Sequence, residues 1–299
     1  MVDPTPRAAV LLKASVLVIG ATGMLGRACV ARLGERFARV DGTQRRDPAA
    51  PRYLEVGDDA ALRALFAAGS YDYVLNCAAV LASPELESDD AWRGEAIATN
   101  ARFPLALAAS AADHGARLLH VSTDGVFSGR AREPYDEGAR ADATDVYGMT
   151  KLLGEPRNAA ALTVRCSLVG VDVGRRRGLV EWFLGTAEGS VVSGYEDQRW
   201  NGVTTLQLAD AIAEIIAADA FGALRSVSHV HHFCPNQPIT KYALLAALND
   251  VTGNVREVRC STSSSGTFGR VLASKYGAFN RYASAPGWSP LLTELLASR

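Results

Sequence analysis

The sequence predicts an α/β fold, a doubly wound parallel sheet followed by a smaller C-terminal lobe. Three observations carry this reading. Short β-branched runs alternate with helix-spaced segments as far as about Gly170, the pattern of parallel strands joined by crossover helices. A glycine-spaced turn links the first strand to the first helix. Beyond Gly170 the segments shorten, punctuated by Gly174, Gly178, Gly185, Gly189 and Gly194.

In chain order, Val16 to Ile19 is a β-branched run ending in Gly20, as a buried parallel strand should be. Leu25 to Leu33 is amphipathic and predicts a helix, and Phe37 to Thr43 a second strand. Leu62 to Ala68 has helical spacing, and Tyr71 to Leu75 reads as a strand ending at Asn76. An Ala-rich stretch predicts one long helix from Ala91 to His114. Leu118 to Ser122 is a strand, followed by a Gly/Arg/Pro/Asp loop up to Asp145. Tyr147 to about Asn158 predicts a helix that Pro156 ends or kinks, and Leu162 to Arg165 a strand. Farther on, Leu206 to Ala218 is a helix, Val227 to Phe233 alternates like a strand, and Ser261 to Gly266 is a Ser-rich loop. The expected division is an N-terminal extension (1–13), a Rossmann domain (14–170) and a mostly substrate-binding lobe (171–299), with 205–235 returning to the Rossmann domain.

Bulk properties exclude several classes. The 299 residues are 48% hydrophobic and 21% charged, ordinary for a globular chain with a real core. With 31 basic and 32 acidic residues there is no basic surplus for nucleic acid and no polybasic run for a lipid surface. The apolar patch Ala8 to Leu12 is too short for a secretory signal, and no run is long enough to span a bilayer. Cys29, Cys77, Cys166, Cys234 and Cys260 contain no C-x-x-C pair and are expected to be reduced, mostly buried thiols. A cytoplasmic location follows as the expectation.

Gly20-Ala21-Thr22-Gly23-Met24-Leu25-Gly26 has G-x-x-G-x-x-G spacing. Such glycines let the backbone turn tightly and approach a pyrophosphate, which the N–H groups at the following helix start can hold. The turn predicts a dinucleotide site that includes Gly20, Thr22, Gly23 and Gly26. The second strand ends in Thr43-Gln44-Arg45-Arg46. Arginine there would accept the 2′-phosphate of NADP, the favoured cofactor, while Asp41 keeps NAD open.

Tyr147 and Lys151 stand four residues apart, on one face of the predicted helix. A nearby ammonium stabilises a phenolate, so the Tyr147 pKa is expected to fall from about 10 toward neutral. A tyrosine so placed can protonate a carbonyl oxygen as hydride reaches its carbon. The preceding strand ends in Ser122-Thr123-Asp124, where a hydroxyl can orient that carbonyl.

Several runs then occur in order: Gly20 to Gly26, Asn76-Cys77-Ala78-Ala79, Ser122 to Phe127, Pro134-Tyr135-Asp136-Glu137 and Val146 to Glu155. Together they resemble the dTDP-4-dehydrorhamnose reductase family of extended short-chain dehydrogenases. The match is good through about Ala218 and thin beyond. The resemblance implies NADPH-dependent reduction of a 4-keto group on a nucleotide-activated deoxysugar, in polysaccharide or glycoconjugate precursor synthesis, by a homodimer. It implies catalytic roles for Thr123, Tyr147 and Lys151, with Tyr147 and Lys151 also binding the cofactor and Lys151 holding the nicotinamide ribose. Gly23, Met24 and Leu25 would meet the phosphates, Glu55 and Val56 the adenine, and Ala78, Ala79 and Val80 would line the cleft. Thr123 and Asp124 would face the sugar, and Arg270 the nucleotide diphosphate. The chain departs from the family in having Gly125 where a Tyr usually follows the triplet and Leu168 where a Trp is usual. It also reads Arg199-Trp200-Asn201-Gly202-Val203-Thr204 in place of a Gly-x-Pro-Thr turn. Leu168 and Trp200 thereby become candidate residues of a reshaped sugar pocket.

Other features are weaker. His229, His231 and His232 lack the carboxylate or cysteine company of a metal site, so none is expected. Glu85 to Asp90 reads as a solvated loop, and Cys77 as packing against the cofactor. Arg175-Arg176-Arg177 suits either a diphosphate grip or a solvated turn. Two further functions stay open. One is a non-catalytic NADP-binding regulatory subunit like the methionine adenosyltransferase β subunit, which resembles the same family. The other is a sugar-nucleotide epimerase or dehydratase using Asp124.

Overall fold

The structure is a computed structural model that describes residues 12–45, 47–82, 84–130, 134–174, 178–263 and 268–299. Its centre is a six-stranded sheet. The first half of the chain runs β1 (Leu12–Ile19), α1 (Met24–Gly34), β2 (Phe37–Gly42), α2 (Asp59–Ala68), β3 (Tyr73–Asn76), α3 (Asp90–Ala96), α4 (Phe103–Asp113), β4 (Arg117–Thr123), α5 (Val146–Leu153) and β5 (Ala161–Cys166). The second half runs β6 (Leu168–Val169), α6 (Leu179–Leu184), β7 (Val191–Tyr195), β8 (Gln198–Trp200), β9 (Val203–Thr204), α7 (Thr205–Ala217), α8 (Phe221–Val227), β10 (Val230–His232), β11 (Ile239–Thr240), α9 (Lys241–Val251), β12 (Glu257–Ser261), β13 (Phe268–Arg270) and α10 (Trp288–Ala297).

Strand order is β10-β5-β4-β3-β1-β2, and every neighbouring pair is parallel. Alternation sends Leu17 and Val18 to opposite faces. On one face Val16, Val18, Leu75, Leu119 and Val164 join a cluster with residues of α1, α7 and α8. On the other, Leu17, Val74 and Leu118 meet side chains of α2 and α4. Both faces are covered, which is why the strands read as continuous apolar runs. From β1 the chain steps outward to β2 and then crosses to β3 on the other side. This switch point opens a crevice at the strand C-termini, where Gly20, Asn76 and Thr123 lie.

The rest of the chain adds three small sheets (β11-β8-β13, β12-β7 and β6-β9) and its own apolar cluster, which includes Val180, Phe183, Leu245 and Leu292. The segment from α7 to β10 belongs to the large sheet: α7 shares the α1 cluster and β10 pairs with β5. Among the described residues, no helix is long and apolar enough to cross a membrane.

Four local expectations are corrected. The Ala-rich helix is broken between α3 and α4 by a π-helical turn, Ile97–Arg102. Pro104 has no N–H to donate to the carbonyl of Asn100, and the Asn100 side chain is bonded to both the N–H and the carbonyl of Val80. The Tyr147 helix stops at Leu153, capped by Gly154 ahead of Pro156, and does not reach Asn158. Val227 ends α8 and is not strand; the strand is only Val230–His232. The thiols are less uniformly buried than expected: Cys29 and Cys166 are buried, Cys77 and Cys234 half-buried, and Cys260 exposed.

Candidate active site

The glycine turn sits at the crevice. Gly20 has φ +75°, and a Cβ there would press on the Ala78 backbone. A Cβ on Gly26 would overlap the carbonyl oxygen of Gly20, so α1 starts tight against the turn. Gly23 is the N-cap of α1, and no side chain caps that helix start, leaving first-turn N–H groups for a ligand anion.

A cavity of about 400 Å³ lies over this turn. Gly20, Thr22, Gly23, Met24 and Leu25 line it from the turn. Thr43, Arg45 and Val56 line it from the segments after β2, and Ala78, Ala79 and Val80 from the loop after β3. Cys77 also lines it. Gly26 lies beneath the turn, and Glu55 stands outside, half-exposed and 3.9 Å from Arg45. The Arg45 guanidinium is 3.0 Å from Glu95. Asp41 does not line the cavity; it is held by Tyr71 at 2.9 Å, Arg39 at 3.0 Å and Arg52 at 2.8 Å. Arg46 and Arg175 to Arg177 lie outside the described residues.

A second cavity of about 480 Å³ adjoins the first. Thr123, Asp124, Leu168 and Arg270 line it, with Ser167 and Glu87. Met24, Leu81, Ser122, Tyr147 and Leu168 border both cavities, and Tyr147 is the one titratable side chain among them.

Helix α5 brings Tyr147 there. Asp145 caps it, accepting from the Gly148 N–H at 2.7 Å, and Glu87 accepts from the Val146 N–H at 3.1 Å. A Cβ on Gly148 would overlap the Gly125 carbonyl, so two glycines let the helix touch the turn after Thr123. The Thr123 hydroxyl donates to Asp124 at 3.2 Å, accepts from the Gly125 N–H at 3.0 Å, and hydrogen-bonds with Tyr147.

The electrostatics correct one expectation. Burial pushes the Tyr147 phenol up to about 12, against the Thr123 hydrogen bond, which pulls it down. Burial outweighs any help from Lys151, whose Nζ donates to the Val121 carbonyl at 2.7 Å. Burial in turn lowers Lys151 to about 8. Tyr147 is thus a protonated phenol at neutral pH, a proton donor and not a phenolate. Burial raises Asp124 above the usual carboxylate range, while Arg270, Thr123 and Ser167 draw it down. Arg270 stands 3.7 Å from Asp145.

Trp200 lines neither cavity; it packs on Trp288 with ring centroids 5.5 Å apart, half-buried against the apolar cluster of the C-terminal lobe. His231 and His232 are buried on opposite faces of β10 and bond to the carbonyls of Leu224 and Ala273. No group of three metal-ligating side chains occurs among the described residues. Sequence reasoning missed Asp145 and Glu87, which hold the α5 start. Asp145 carried a signal, an N-cap residue just ahead of the helix; Glu87 carried none.

An uncapped helix start behind a glycine turn, with a Tyr/Lys helix at the junction of two cavities, defines a doubly wound nucleotide-binding protein of the extended short-chain dehydrogenase type. The chain belongs to the family described as the RmlD substrate binding domain, whose model matches residues 14–298. It is 34% identical over 210 residues to the dTDP-4-dehydrorhamnose reductase of Streptomyces griseus, across 69% of this chain and 66% of that one, so it spans just under two thirds of that relative. It is 30% identical over 243 residues to the methionine adenosyltransferase 2 subunit beta of Xenopus tropicalis, across 78% of this chain and 71% of that one. The crystal structure of a dTDP-4-dehydrorhamnose reductase from Clostridium acetobutylicum superposes with a TM-score of 0.79 at 25% identity, over 95% of this chain and 99% of that one.

Proposed function

We propose that the chain uses NADPH to reduce the 4-keto group of a nucleotide-activated deoxysugar. The observation that carries this is the placement of Tyr147, protonated and at the border of both cavities. The glycine turn, the uncapped α1 start and a 400 Å³ cleft suit a dinucleotide. Arg45 lines that cleft while Asp41 is occupied by Arg39, Arg52 and Tyr71, which favours NADP over NAD.

The bound cofactor supplies the hydride. The protein's part is positional and protonic. Thr123 orients the carbonyl oxygen, and Tyr147 gives that oxygen its proton as the carbon is reduced. Lys151 bears positive charge beside Tyr147 and suits the nicotinamide ribose. Asp124 and Arg270 present an acceptor and a donor to the sugar and the groups beyond it. Leu168, bordering both cavities, offers an apolar wall at their junction.

The likeness to a methionine adenosyltransferase subunit favours a second reading, a non-catalytic NADP-binding subunit. Incubation with NADPH and a panel of nucleotide-linked 4-keto-6-deoxysugars decides between them. Oxidation of cofactor with appearance of the alcohol supports the reductase. Tight cofactor binding with no oxidation across the panel supports the subunit, and product with no net cofactor change supports epimerase or dehydratase chemistry.

A further inference from the structure

Glu155 follows the Gly154 cap of α5, and no step above uses it. Its carboxylate accepts from the Ser122 hydroxyl at 2.7 Å and from Nε and Nη2 of Arg165, each at 2.7 Å. Ser122 and Arg165 are register partners on β4 and β5. Glu155 therefore ties the end of the Tyr147 helix to two strands, beside the residue that precedes Thr123. Both charges are buried, with side chains 7% and 8% exposed, and the guanidinium lies 5.4 Å over the Phe127 ring. A buried ion pair is weak support for stability, since apolar replacements are often no worse. Its place under the site suggests another use.

We propose that Glu155 is a positioning residue: through Ser122 and Arg165 it locks the Tyr147 helix to the strand that carries Thr123. The kinetic consequence rests on the reductase reading; the struts themselves do not.

The test uses the full chain and Glu155→Gln, which keeps the shape and removes the charge. NMR of ¹³C-labelled tyrosine, with Tyr147→Phe assigning the signal, reads the placement of the Tyr147 ring without turnover, and its resonances should shift in the variant. In turnover, kcat should drop about tenfold while NADPH affinity stays near native, because small misplacement of the acid costs rate before binding. Tyr147 resonances and a kcat both at native values in Glu155→Gln overturn the positioning role. Ser122→Ala leaves both charges and removes one strut, so it tests the positioning even if Glu155→Gln does not fold. It should lower kcat, and a native rate overturns the positioning role. A native chain that oxidises no NADPH with any keto-sugar sinks the reductase reading instead. The struts are then read by whether Ser122→Ala shifts the Tyr147 ring resonances: shifted signals sustain the positioning role, and unshifted signals overturn it.

Discussion

Tyr147→Phe removes one oxygen from the junction of the two cavities and leaves the ring that packs there. The phenol is the only titratable side chain among the described residues that borders both cavities. With burial pushing its pKa up to about 12, it is a protonated phenol near neutral pH and a weak acid. General acids contribute about 10²- to 10⁴-fold, and a weak one belongs at the low end. The variant should therefore lose about 100-fold in kcat, or about 2.7 kcal/mol of transition-state stabilisation. The assay is the decay of NADPH absorbance at saturating keto-sugar nucleotide, with cofactor affinity measured by fluorescence alongside. Affinity should stay near native, since Thr22 to Leu25 and Lys151 are untouched. A variant that turns over at close to the native rate would refute the assignment of Tyr147 as the acid.

Gly26→Ala should weaken NADPH binding about tenfold, because the new Cβ overlaps the Gly20 carbonyl and overpacking costs about 1–3 kcal/mol; equilibrium titration checks it. Arg45→Ala should cut the preference for NADPH over NADH about tenfold, the scale of one charged hydrogen bond, read from the ratio of the two dissociation constants. Lys151 carries a pH signature in stability. Its folded pKa of about 8 lies below the ordinary lysine value of 10.5, so across that window the unfolded chain binds more protons and stability rises with pH. In Lys151→Met this contribution should vanish, as urea melts at intervals between those limits would show.

The strands, the glycine turn and the Tyr/Lys helix were legible because each is a local pattern: apolar runs buried on both faces, a spacing that only glycines tolerate, and two side chains four residues apart. What the sequence hid was set by contacts between distant segments. The π-helical turn follows from Pro104 and from Asn100 reaching Val80. The direction of the Tyr147 shift was misjudged because spacing shows the nearby ammonium but not the burial that dominates the phenol. Trp200 looked like a pocket residue, but its partner Trp288 lies almost at the C-terminus, a pairing no spacing announces. Glu155 was visible inside a motif, yet its partners Ser122 and Arg165 come together only through strand register.

The most direct test of the central claim is stoichiometry. Purified chain, NADPH and a dTDP-linked 4-keto-6-deoxysugar are mixed, and cofactor loss is measured against the alcohol formed. The account predicts mole-for-mole consumption. Tight NADPH binding without oxidation across nucleotide-linked keto-sugars, or product with no net cofactor change, would contradict it.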